Sequence, residues 1–258
     1  MQTKPIRFKL NAGQDTKDDA LASLNEHFRR VSDAIQDAYR ERYAASSGGG
    51  PSDALTMLAV VGDFLTVMSR LDGQYGADAT LPIENVPQAV DEALRALADL
   101  ESWLIRLELE VQRVPLHAIA IGVGYWAMRH GLPVSVTELI VNALAAQSNA
   151  ASSKQETAAV YAMMQGFIRH FSPGLKADLE RSNPHRPWRL LNLNFAITAI
   201  RSGDAALMRY AFDTLNAHLP DERSGFYAEA HALACQPGFP LETRGLIEAE
   251  LARWTRAH

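Results

Sequence analysis

The sequence predicts an all-α protein, a long-helix antiparallel bundle followed by an irregular array of helical hairpins. Three observations predict it: apolar residues recur at helical spacing, Ala, Leu and Arg are the commonest residues, and Gly, Pro, Asn and Asp punctuate the chain as turn signals between the periodic segments. With 258 residues, 47% hydrophobic and 21% charged, the chain can bury a sizeable core and is not disordered throughout.

Residues 6–10, Ile-Arg-Phe-Lys-Leu, alternate apolar and basic groups, so residues 1–15 are expected to form an extended arm. A heptad seam then runs through Leu21, Leu24, Phe28, Val31, Ile35 and Ala38. Three glycines followed by Pro51 end that helix. A second seam follows through Met57, Val61, Phe64, Met68, Leu71 and Tyr75, and a third through Leu94, Leu97, Leu100, Leu104, Leu107 and Val111. Narrow stripes of this kind need partners, so residues 16–113 are expected to pack as a three-long-helix bundle. A coiled-coil dimer through one seam is the alternative.

Residues 114–128 are the most apolar stretch, yet His117 interrupts them and they fall short of the ~20 residues that span a bilayer. They read as a buried helix that opens a second domain, residues 114–258. Ser135 with Glu138, and Ser153 with Glu156, have the spacing of capping boxes, where serine and glutamate satisfy free amides at a helix start. Glycine- and proline-marked turns then separate short helices to the end of the chain.

Within residues 190–220, Phe195 and Ala196 lie on a first helix, Gly203 and Asp204 form a turn, Phe212 and Leu215 follow on a second helix, and Pro220 closes the unit. This pattern resembles a tetratricopeptide repeat. A period of 34 superposes Tyr161-Ala162, Phe195-Ala196 and Glu229-Ala230. Met208 departs from the family's small residue and Asn192 from its frequent tryptophan. The resemblance implies stacked hairpins with a curved surface for a peptide or partner protein.

The chemistry of known catalytic and metal sites is missing. No histidine follows a glutamate by three residues, His-Glu-x-x-His does not occur, and neither a P-loop nor a nucleophile elbow is present. Asp15, Asp18 and Asp19 read as a helix start, and Asn149, Ser152 and Glu156 miss a magnesium motif by one residue. Gly122 and Gly124 lie inside an apolar run rather than at a strand-to-helix turn, which assigns them to close helix packing. No metal and no cofactor are expected. Cys235, the only cysteine, excludes an intramolecular disulfide and is expected to be buried.

Charge divides unevenly: residues 1–113 hold 12 basic and 18 acidic groups, the remainder 13 and 12, for a net charge of −5. That balance gives no global attraction to nucleic acid or to anionic membranes. The amino-terminal residues lack a secretory signal, so a cytoplasmic protein is expected.

The most distinctive local feature is the cluster Arg181, His185, Arg186, Trp188 and Arg189 in a proline-stiffened loop, a combination able to hold an anion and stack on a planar group. Asn192, Asn194 and Arg201 follow on the helix that corresponds to the groove-lining helix of tetratricopeptide proteins. The functional expectation is a non-enzymatic interaction module, an adaptor, assembly factor or chaperone, binding a protein or peptide, with the heptad helices available for homo-oligomerisation. The alternative is a helical enzyme or small-ligand binder with an inter-helix pocket around Tyr125, Trp126, His130 and Tyr161.

Overall fold

The structure is a computed structural model that describes residues 15–43, 53–82, 84–179, 181–235 and 240–255, without the side chains of residues 15–19. The expected arm over residues 1–15 lies outside the described residues save for Asp15, and so do the breaks at residues 46–51 and 236–238. Among the described residues there is no strand, only an isolated bridge between Val134 and Phe171. The all-α fold class holds.

The helices are α1 (Asp15–Tyr43), α2 (Asp53–Tyr75), α3 (Val86–Arg106), α4 (Arg113–Arg129), α5 (Glu138–Ala150), α6 (Lys154–His170), α7 (Pro173–Lys176), α8 (Pro187–Ser202), α9 (Ala205–His218), α10 (Arg223–Ala234) and α11 (Leu241–Thr255). The chain divides into two compact units. One holds residues 1–144 and 169–176, the other residues 145–168 and 177–258.

In the first unit, the seam residues Leu24, Val31 and Ile35 of α1, Val61, Phe64, Met68 and Leu71 of α2, and Leu94, Leu97, Leu100 and Leu104 of α3 are buried. By length and composition α2 is apolar enough to cross a bilayer, with a mean hydropathy of 1.5 over its best window, and it packs against α3 and α1. α4 also packs against α1 and α3. It is apolar on nearly every side, with eleven buried residues, and Gly122 lets α1 approach. A Cβ there would stand 2.3 Å from Leu24 Cδ2. The expected boundary at residue 113 therefore moves: the change in texture marks the bundle's most enclosed helix, and the first unit continues to Leu144.

Two local expectations also differ. The third seam stops before Val111, because α3 closes at Arg106: Glu108 adopts φ 60°, its amide donates to the Ile105 carbonyl, and the Leu109 amide reaches the Leu104 carbonyl. Val111 then lies in a 3-10 turn, 64% exposed. Ser135 does not cap α5 either. Its amide and that of Val136 donate to Asp91 Oδ1, at 3.0 and 3.2 Å, which places them ahead of the helix start.

In the second unit the principal packing pairs are α8 with α9 and α10 with α11. Gly203 at φ 65° ends α8, and Asp204 caps α9 by accepting from the amides of Ala206 and Leu207 at 2.8 and 3.1 Å. Phe195, Ala196, Met208, Phe212 and Leu215 fill the space between the two helices of that hairpin. Tyr161 of α6 stacks on Phe195 with ring centroids 4.4 Å apart. Cys235 is exposed at the end of α10, against the expectation of a buried thiol, because the last turn directs it away from the buried Ala230 and Ala234.

Candidate functional site

Each cation of the loop before α8 is bound by the protein itself. Arg186 is buried, and its guanidinium forks onto Asp178, Nε to Oδ1 at 2.5 Å and Nη2 to Oδ2 at 3.1 Å. Its remaining Nη1 donates to the carbonyls of Arg181 and Asn183. Asp178 holds φ 49°, a left-handed conformation that the ion pair fixes. Arg189 forks onto Glu222, at 2.5 and 2.8 Å, and donates to the Pro184 carbonyl. The hydrogen bonds between them raise the Arg189 pKa and hold the Glu222 carboxyl below its ordinary range. Arg181 pairs on the surface with Asp221 at 3.2 Å. His185 is exposed, and its backbone amide closes a turn on Asn183 Oδ1.

Trp188 is buried against the His218 ring, with centroids 4.8 Å apart. Asn192 is fully buried: its Nδ2 donates to the Trp188 carbonyl and its Oδ1 accepts from His218 Nδ1, both at 2.8 Å. Asn192 thus points into the hairpin and cannot meet a ligand from outside. The structure separates it from Asn194 and Arg201, which lie two and nine residues further along and so on the other side of the helix.

Asn194 and Arg201 share a face of α8. Leu190, Asn194, Ile197 and Arg201 follow one another at spacings of four, three and four residues, and all four are partly or largely open to solvent. Arg201 stands at the end of this stripe, where it enters a cleft of about 420 Å³ lined by Ser148, Asn149, Ala151, Ser152, Ser153, Lys154, Thr157 and Arg201. One guanidinium nitrogen, Nη1, is tethered to the Ser148 carbonyl at 3.0 Å and to Asn149 Oδ1 at 2.7 Å. Among the described residues, Nε and Nη2 of Arg201 and the Lys154 ammonium have no partner. The wall beneath is fixed by the capping box at the start of α6: Ser153 Oγ accepts from the Glu156 amide at 3.2 Å, while Glu156 Oε2 accepts from the amide and hydroxyl of Ser152 at 2.8 and 2.9 Å. Behind it, Ser148 and Thr198 hydroxyls meet at 2.7 Å.

Sequence reasoning named Arg201 but missed Lys154, Ser148 and Thr157 as its neighbours. The cleft is assembled from the end of α5, the start of α6 and the end of α8, and no linear motif carries that juxtaposition. Only the capping box, which fixes one wall, was visible in advance.

The other clusters of polar groups are self-contained. In the first unit His130, wholly buried, donates from Nδ1 to the Ala79 carbonyl at 2.6 Å and places Nε2 2.8 Å from Asp72 Oδ1. That oxygen also accepts from Trp126 Nε1 at 2.7 Å. Arg129 adds Asp78 and the Ala77 carbonyl, so these groups tie the end of α4 to the turn after α2. Glu101 Oε1 receives Arg113 and His117, and the His117 hydrogen bond holds its carboxyl below the ordinary range. The polar atoms of Trp126, His130 and Tyr161, three of the residues named for the alternative reading of an inter-helix pocket, are engaged within the protein, Tyr161 with the Leu207 carbonyl. Tyr227 is buried, which raises its phenol pKa, and donates to Asn216 Oδ1. Among the described residues no group of three or more His, Cys, Asp or Glu side chains is placed to hold a metal ion.

No protein-family model matches the chain, no curated protein matches it significantly in sequence, and no solved structure matches it significantly in fold.

Proposed function

We propose that this protein is an interaction module, of the adaptor, assembly-factor or chaperone class, whose second unit takes an extended segment of a partner protein along the outer face of α8. The observation that carries the reading is the stripe Leu190, Asn194, Ile197, Arg201. It offers, in order along one helix face, an apolar contact, an amide, a second apolar contact and a cation. Asn194 is half-buried and its side-chain amide has no partner among the described residues, so it can donate to and accept from a passing peptide backbone. Ile197, 38% exposed, supplies apolar area between the polar groups. Alternating polar and apolar contacts suit an extended chain, whose side chains project to alternate sides. The hairpin pairs α8–α9 and α10–α11 provide a rigid support for such a face.

Selection of extended octapeptides from a displayed library tests this reading. The expected binders form photo-crosslinks when a benzophenone side chain replaces Ile197, and lose about tenfold or more in affinity with Ile197→Asp, since a charge would be desolvated against apolar peptide. Binders indifferent to both Ile197→Asp and Asn194→Ala, or a library that yields none, overturn it.

A further inference from the structure

We infer that the cleft at the end of α8 is a carboxylate subsite, one that receives an acidic residue of the bound segment. This deepens the peptide-binding reading and names the chemistry of one end of the ligand. The lining contains two cationic side chains, Arg201 and Lys154, together with Ser and Thr hydroxyls and the Asn149 amide, and no acidic side chain. Glu156, the nearest carboxylate in sequence, has one oxygen held by the amide and hydroxyl of Ser152.

The geometry of Arg201 narrows the ligand further. Its Nη1 is the nitrogen the protein uses, through Ser148 and Asn149. That tether leaves Nε and Nη2, whose N–H bonds run parallel as the side fork of the guanidinium and match the two oxygens of a carboxylate. The tether also fixes the fork before any ligand arrives, so little side-chain entropy is lost on binding. The opposite arrangement is seen at Arg186 and Arg189, where the side fork is filled by Asp178 and Glu222 from the chain itself. Those two internal pairs show the coordination that the Arg201 fork lacks. A volume of about 420 Å³ admits a whole acidic side chain or chain end with its flanking peptide group rather than a lone ion. Lys154 adds a second, unforked charge to the lining.

Two probes separate the sources of the carboxylate: acetyl-glycyl-aspartic acid α-amide, which carries it on a side chain, and acetyl-glycyl-glycine, which carries it at a chain end. Titrated into isotopically labelled full-length protein, at least one is expected to shift the Arg201 Nε–Hε resonance and the amides of residues 152–157 to saturation, with a Kd of about a millimolar, as suits so small a ligand. Arg201→Gln is expected to weaken that probe about tenfold and Lys154→Gln about threefold. Raising the salt concentration weakens it further. Lys154 is exposed and its ammonium has no partner among the described residues, so its variant stays informative even where loss of the Arg201 tether disturbs α5. Absence of a shift with both probes, or equal affinity in wild type and both variants, overturns the inference. Inorganic phosphate shifting the same resonances while neither carboxylate does so overturns it as well. If the probes bind as expected while octapeptides ignore Ile197→Asp, the subsite stands and the reading of the α8 face falls.

Discussion

At the start of α8, Arg186 and Arg189 belong to a run with three arginines in the nine residues 181–189, and both guanidinium forks are closed by the protein's own acids. At the other end of the same helix Arg201, with no basic residue beside it in sequence, keeps its side fork open over a polar cleft. The comparison teaches that the density of cations along a sequence measures how much charge must be accommodated, not how much is offered to a ligand. What decides the matter is where acids stand in space: Asp178 is eight residues from Arg186 and Glu222 thirty-three from Arg189, and the turn after α9 brings the latter back.

Breaking the internal end of the comparison has the largest expected effect. Arg186→Met leaves the Asp178 carboxylate buried at positive φ without a counter-charge, and removal of one partner of a buried pair costs about 3–5 kcal/mol. Chemical denaturation checks it, and a loss below about 1 kcal/mol would mean that the pair is not closed in solution. Glu222→Gln is smaller, about 1 kcal/mol, because both side chains are roughly a quarter exposed and partly screened.

That second pair also has a pH signature. Arg189 holds the folded Glu222 carboxyl below its ordinary value, so the unfolded chain takes up the proton first as the pH falls. The contribution is present above that value and lost below it, through the folded pKa. Stability measured between neutral pH and strong acid is expected to fall less steeply in Glu222→Gln than in wild type. An identical acid limb would remove the pair from the account.

At the cleft the expected signs reverse. Lys154→Gln changes stability by no more than about 0.5 kcal/mol, as for an exposed side chain with no partner among the described residues, while it weakens acidic peptides. His185→Ala is the smallest change of all: an exposed ring with no role in either region is expected to leave both stability and peptide affinity as they were. An affinity loss there would restore the loop before α8 as a binding surface.

The helical class and the heptad seams were legible because burial on one face repeats every three to four residues, and Val61, Phe64, Met68 and Leu71 of α2 and Leu94, Leu97, Leu100 and Leu104 of α3 carry that repeat without interruption. The end of α3 was not legible, because Glu108 rather than glycine occupies the left-handed position and leaves no compositional mark. The boundary near residue 113 was misplaced for a related reason: α4 is buried nearly all round, so its texture differs from the seams although it packs with them. Of the candidate site, Arg201 and Asn194 were visible as residues, whereas the cleft was not. Its walls come from the adjoining ends of α5 and α6 and from the end of α8 some fifty residues later, and Ser148 and Lys154 acquire meaning only beside Arg201.

The most direct test sets the two ends of α8 against each other in one binding experiment. Affinity for a selected acidic octapeptide is measured for Arg189→Gln and Arg201→Gln, each confirmed as folded by its circular dichroism and thermal transition. Affinity is expected to be unchanged in Arg189→Gln and to fall about tenfold in Arg201→Gln. A loss confined to Arg189→Gln, with Arg201→Gln binding as wild type does, would contradict that expectation.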